Sequence, residues 1–182
     1  AAGWSQFELI DPELGGGTGS NTGLGVRGIV GGFNVTGNTI EFITVTTLGN
    51  SQDFGDLTNQ RNASNQQVCN RTRMIFGGGY TPAGWSNIID FITVASLGNA
   101  TDFGDTTVKR QQLSAVNDNT RGIFGGGQTA PNYQGTNVID YVTIAQTGNA
   151  VDFGDMTNEK PSLASVCSST RGVFAHGNQS PS

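Results

Sequence analysis

One acidic tetrapeptide occurs three times in this chain: Asp53-Phe54-Gly55-Asp56, Asp102-Phe103-Gly104-Asp105 and Asp152-Phe153-Gly154-Asp155. Carboxylates so spaced suit a hard cation, and Asp-Phe-Gly is also the metal-holding motif of protein kinases. The kinase chemistry fails here. The motif recurs at repeat spacing, with no matching Lys–Glu pair or catalytic loop around it. A fixed arginine accompanies it at Arg73, Arg121 and Arg171, and Arg27 heads the array. A guanidinium grips a carboxylate with a planar fork that lysine lacks. Structural ion pairs are therefore expected between Arg27, Arg73, Arg121 and Arg171 and the aspartates Asp56, Asp105 and Asp155, within or between units. Calcium on the same aspartates is the alternative.

Little else in the chain could do catalysis. His176 is the single histidine, too few for a triad or a usual zinc site. The runs Gly15-Gly16-Gly17, Gly77-Gly78-Gly79 and Gly125-Gly126-Gly127 do not continue into Gly-Lys-Ser/Thr, so they are not phosphate loops. No catalytic residue, metal or cofactor is expected, and the chain reads as a non-enzyme.

The elements that carry these residues form a repeat of about fifty residues, the period of a four-stranded propeller blade. Ile40-Glu41-Phe42-Ile43-Thr44-Val45 matches Ile89-Asp90-Phe91-Ile92-Thr93-Val94 and Ile139-Asp140-Tyr141-Val142-Thr143-Ile144. These segments are β-branched and aromatic, as half-buried strands are. Gly49-Asn50, Gly98-Asn99 and Gly148-Asn149 supply turns behind them. The acidic tetrapeptide reads as a short outer strand. Leu113-Ser114-Ala115-Val116 and Leu163-Ala164-Ser165-Val166 read as small-residue inner strands. Arg73-Met74-Ile75-Phe76 and its equivalents read as strands that end in Gly-Gly.

Composition agrees with many short strands. The 182 residues include 28 glycines, and charged residues make up 13%. The formal net charge is −5, with no basic stripe, so nucleic acid is not an expected partner. No apolar run approaches a membrane span, and a membrane is not expected either. No signal-peptide pattern opens the chain, and Ala1-Ala2-Gly3 reads as a start trimmed of its initiator Met. Cys69 and Cys167 sit at equivalent places in different units and are expected as reduced thiols, with a bridge between subunits left open.

An aromatic-aliphatic strand ending in Gly-Gly, followed by a strand carrying Tyr or Phe and then by an aromatic and an Arg, resembles the kelch repeat over residues 27–177. It departs from kelch at the outer-strand Trp, here Phe54, Phe103 and Phe153. The string Gly-Asn-Ala-x-Asp-Phe-Gly-Asp is similar to kelch-like repeats of marine bacteriophage tail and appendage proteins. The resemblance implies an all-β, kelch-like β-propeller-type array, with a β-trefoil-like fold as the alternative. It also implies a structural, decoration or appendage protein of a virion, an extracellular particle.

Cut at strand boundaries, the array holds about three and a half four-stranded blades. Propellers have four to eight. Completion by homo-oligomerisation or by other virion proteins is therefore expected, two chains in a six- or seven-bladed ring being the simplest version.

Three segments flank or interrupt the repeat. Residues 1–26 form an expected docking arm with a Gly-rich hinge, whose adhesive residues are Trp4, Phe7, Leu9 and Ile10. Residues 178–182 form a tail. The segments after Gly-Gly vary between copies and carry Tyr80, Trp85 and Tyr133. Variable loops on a scaffold carry function. These aromatics are expected to meet a surface glycan or protein partner, or else to cap the sheet edge. A carbohydrate-binding lectin or adhesin is thus the alternative to the virion role.

Overall fold

The computed structural model describes residues 27–63, 67–131 and 133–175. They are all-β, with no helix among them. The first sheet contains β1 (Arg27–Gly31), β2 (Thr39–Thr44) and β3 (Gln52–Asp56). The second contains β4 (Gln67–Cys69), β5 (Arg73–Thr81), β6 (Gly84–Thr93) and β7 (Thr101–Asp105). The third contains β8 (Ser114–Asn117), β9 (Arg121–Gly125), β12 (Val138–Thr143) and β13 (Val151–Asp155). A small hairpin of β10 (Gln128–Thr129) and β11 (Gln134–Gly135) interrupts it. The last sheet pairs β14 (Ala164–Cys167) with β15 (Gly172–Ala175).

All pairings are antiparallel, and all but β9 with β12, which the β10–β11 hairpin separates, join chain neighbours; apart from that hairpin the sheets contain three, four, four and two strands. The register is also shared. A bulge falls between Ile40 and Glu41, between Ile89 and Asp90, and between Ile139 and Asp140. Among the described residues the strands close neither into a barrel nor into a ring of sheets.

The sheets stack through two separate cores. Successive side chains of a strand point to opposite faces. Met74, Phe76 and Ile92 therefore meet the first sheet at Ile29, Ile40, Phe42 and Phe54. Ile75, Ile89 and Phe103 turn the other way, onto Phe124 and Val142 of the third sheet. Each such burial contributes about 1.5–3 kcal/mol. The second sheet is thus covered on both faces.

One strand boundary differs from the sequence expectation. The Gly-Gly element does not end β5, which runs on through Gly77-Gly78-Gly79 to Thr81. The register shifts between Gly77 and Gly79. Gly78 and Gly79 take φ of +65° and +117°, open to glycine, and a Cβ added at either would run into the carbonyl oxygen of Arg110 or of Asn62. What reads as a variable loop is therefore a hairpin extension, turning at Pro82-Ala83 into β6.

Candidate functional site

The three aromatics singled out from the sequence come together. Tyr80 ends β5, Trp85 opens β6, and Tyr133 arrives from the turn between β10 and β11. Tyr80 meets Trp85 edge-on at 5.3 Å between ring centres, and Trp85 meets Tyr133 at 5.0 Å, tilted by 57°. Tyr133 is half exposed and has a left-handed backbone, φ 57°. A hydrogen bond shared with Tyr133, together with that ring's charge, pushes the Tyr80 phenol above its ordinary value of 10.0. The Trp85 indole N–H is buried without an acceptor. Asn62 runs beside this hairpin, exchanging backbone hydrogen bonds of 2.8 and 3.1 Å with Tyr80. The result is an aromatic ridge of three rings from two sheets, its outermost ring open to solvent.

The junctions between sheets are the second chemically distinctive place. The ion pairs there correct the sequence assignment. Asp56, Asp105 and Asp155 form no salt bridge among the described residues. Register explains why. Arg27 sits opposite Thr44 of β2, whereas Asp56 sits opposite Thr39, five residues away along the same strand. At about 3.3 Å per residue the two groups stand at opposite ends of the sheet.

The repeat arginines instead lie over aromatic rings, Arg27 on Phe42 at 4.9 Å, Arg73 on Phe91 at 4.6 Å and Arg121 on Tyr141 at 5.1 Å. Two of them reach the following sheet. Arg27 donates to the Val94 carbonyl at 2.6 Å and Arg73 to the Ile144 carbonyl at 3.0 Å. Arg171 is exposed just before β15.

The buried ion pairs are Arg61 with Asp90 and Arg110 with Asp140. Each joins the segment after one sheet's outer strand to an acid in the middle of the next sheet. All four side chains are closed to solvent. Thr58 completes the first carboxylate, donating from its hydroxyl at 2.7 Å and from its N–H at 3.1 Å. Thr107 does the same for Asp140 at 2.9 and 2.8 Å. Burial drags the Arg110 guanidinium below its ordinary range, and Asp140 pulls it back up. The Nε–H groups of Arg61 and Arg110 are buried without acceptors.

These arginines lie five residues after the last Asp of the acidic tetrapeptide, in a stretch for which the sequence raised no expectation. A signal was present nonetheless. Asp90 and Asp140 stand among apolar neighbours in a central strand, and a buried carboxylate demands a partner.

A second set of backbone contacts repeats across the same junctions. Gly98 N–H donates to the Phe54 carbonyl at 2.9 Å, and the Asn99 side chain accepts from Asp56 N–H at 3.0 Å. Gly148 and Asn149 do the same to Phe103 and Asp105 at 2.7 and 3.1 Å. The Gly-Asn turn of one sheet thus binds the outer strand of the sheet before it. The acidic tetrapeptide serves as the receiving edge.

Cys69 and Cys167 are half-buried and form no disulfide. Burial raises the Cys69 thiol above its ordinary 9.0, with a smaller push from Cys167. Among the described residues no group of three or more His, Cys, Asp or Glu could hold a metal ion. The arm residues Trp4, Phe7, Leu9 and Ile10, the lone His176 and the 178–182 tail lie outside the described residues. The chain matches no family model and no curated protein.

Proposed function

We propose that this chain is a non-catalytic structural module of a bacteriophage virion, a decoration or appendage protein. It docks by its 1–26 arm and presents a head built of propeller-like blades. One observation carries the assembly role. Among the described residues, a three-stranded sheet stands at one end of the stack and a two-stranded sheet at the other. Apolar faces are left open there, as Val30, Ile43 and Val45 on the first sheet and Phe153 on the third. Sheets that stack face to face in meander order favour the blade reading over a trefoil, whose hairpins cap a barrel. The virion placement rests on the likeness of the repeat string to phage appendage repeats.

Deleting residues 1–22 tests the docking role. Loss of incorporation into particles, with the circular dichroism of the head unchanged, is the expected result. Full incorporation without the arm would overturn it.

The aromatic ridge favours a second reading, a glycan-binding adhesin. Tyr80, Trp85 and Tyr133 converge from two sheets, and an exposed ring on a rigid hairpin can stack on a sugar. A glycan screen with wild type and Trp85→Ala addresses it. Binding that is lost in the variant supports the adhesin.

A further inference from the structure

The aromatic ridge stands on two hairpins that carry no charge of their own. We infer that it takes a neutral oligosaccharide, stacked on Tyr133, and turns away acidic ones. This rests on the glycan reading of the ridge and adds the class of sugar.

From Met74 to Ile89, and again from Gly122 to Ile139, there is no Asp, Glu, Lys, Arg or His. The arginines that run beside the hairpins are already engaged. Arg61 precedes Asn62, which pairs with Tyr80, and Arg110 precedes Gln111, which pairs with Gln128. Both guanidinium groups hold buried aspartates, with all four side chains closed to solvent. Lys109 is exposed next to Arg110, but an ammonium lacks the planar fork that grips a carboxylate or sulfate with two bonds. Beside Gly135 the chain brings Glu159 and Lys160, one charge of each sign. An acidic sugar leaving water needs a charge-assisted partner. A chain of net charge −5 also repels polyanions at a distance. Neutral hydroxyls require neither.

The ring geometry excludes two other ligand classes. Ring centres 5.0 and 5.3 Å apart are in contact with each other, so no group fits between them. A cage for an alkylammonium would need the rings to stand apart around the cation. What the ridge offers is an outer face, since Tyr133 is 50% exposed. Half of one tyrosine supplies on the order of 100 Å², against about 800 Å² per partner in a standard protein interface. A protein would find too little here, whereas a pyranose ring is flat and of matching size.

The platform is held in place and has neutral polar groups around it. Tyr133 sits at φ 57°, a region that side chains seldom adopt and that functional positions often do. Its phenol shares a hydrogen bond with Tyr80. Gln128 stands after Gly125-Gly126-Gly127 as Tyr80 stands after Gly77-Gly78-Gly79, so it belongs to the same end of the stack. The Gln111 amide donates to the Gln128 carboxamide oxygen at 3.3 Å. That leaves the Gln128 NH2 as a donor and the Gln111 oxygen as an acceptor for hydroxyls. Next to Trp85, a Cβ placed on Gly84 meets no heavy atom within 4 Å, so the space beside the ridge is open. The Trp85 indole N–H is buried without an acceptor. A sugar hydroxyl entering from the Gly84 side would remove the cost of that unmade bond.

The test is binding of the full-length chain to an array that sets neutral oligosaccharides of glucose, galactose, mannose and N-acetylglucosamine beside uronic, sialylated and sulfated ones. Calorimetric titration of the best binder follows. Wild type should bind neutral members only. Tyr133→Ala should weaken binding about tenfold or more, and Tyr133→Phe, which keeps the ring face, should stay within about twofold. Affinity should hold as salt is raised, since no charge pair is there to be screened. Circular dichroism should be unchanged, because the Tyr133 ring lies at the surface. Should Tyr133→Ala misfold, Tyr133→Gly removes the ring and suits the left-handed backbone.

An acidic glycan held through the ridge, and lost in Tyr133→Ala, would overturn the neutral class while leaving the adhesin reading in place. Binding to no glycan, or binding indifferent to loss of the Tyr133 ring, would overturn both.

Discussion

Arg61 and Asp90 belong to different sheets, and the 2.8 Å bond between them is closed to solvent at both ends. A buried pair of this kind adds little over well-packed apolar residues, but breaking it is costly. Arg61→Ala should therefore destabilise the chain by about 3–5 kcal/mol, since it strands the Asp90 carboxylate. The double variant Arg61→Met with Asp90→Leu should be more stable than Arg61→Ala alone. Urea unfolding midpoints of the three chains decide the matter, and equal losses for the two variants would mean the pair carries no coupling.

The glycine of the acidic tetrapeptide is needed twice over at Gly104. Its φ is +146°, and an added Cβ would sit 2.5 Å from the Gly148 carbonyl oxygen across the junction. Gly104→Ala combines strain of about 1–3 kcal/mol with overpacking of similar size. Gly154 has a comparable φ of +132° but open space around it. Gly154→Ala should cost only the backbone part. Thermal unfolding of the two variants should rank them in this order.

The Tyr80 phenol titrates late because of Tyr133. Tyr133→Phe removes the hydrogen bond and the charge together. The Tyr80 transition in ultraviolet absorbance should then move down toward 10.0, the ordinary value. An unmoved transition would mean the rings do not share this bond in solution.

Cys69 offers a pH test with a definite sign. Its folded thiol titrates above the ordinary 9.0. Its contribution to stability is fully present below that value, and it is lost as pH rises through the folded pKa, because the unfolded chain releases its proton first. Below pH 9, the reactive thiolate is scarcer in the folded protein. Iodoacetamide at pH 8 should modify Cys69 more slowly in the native chain than in urea, as read by peptide mass.

The strand pattern was legible because it is written in residues of strong preference. Ile139-Asp140-Tyr141-Val142-Thr143 can scarcely be other than a strand, and its Gly-Asn turn follows at once. Glycine was harder to read. Gly77-Gly78-Gly79 suggests an ending, yet glycine also permits a strand to continue under a neighbour's backbone, and β5 does so. The convergence of Tyr80, Trp85 and Tyr133 was visible as shared variability, though not as ring contact, because it depends on the β10–β11 hairpin meeting β6.

The ion pairs were misplaced for a different reason. Four aligned arginines drew the aspartates of the tetrapeptide to them, but alignment says nothing of which end of a strand a residue occupies. Arg61 and Arg110 stand outside the aligned strand elements that drew attention, five residues past each tetrapeptide. Only the acids facing them, Asp90 and Asp140, stood in plain sight.

The second sheet, covered on both faces, has a kinetic consequence. Opening β5 or β6 to solvent requires two cores to come apart, whereas β2 and β3 need release only one and β13 none. Amide hydrogens should therefore exchange along a gradient, slowest at Ile75, Ile89 and Ile92 and faster outward in both chain directions. Unfolding would begin by fraying at the ends of the stack and travel inward, sheet by sheet, as in a linear array of coupled units.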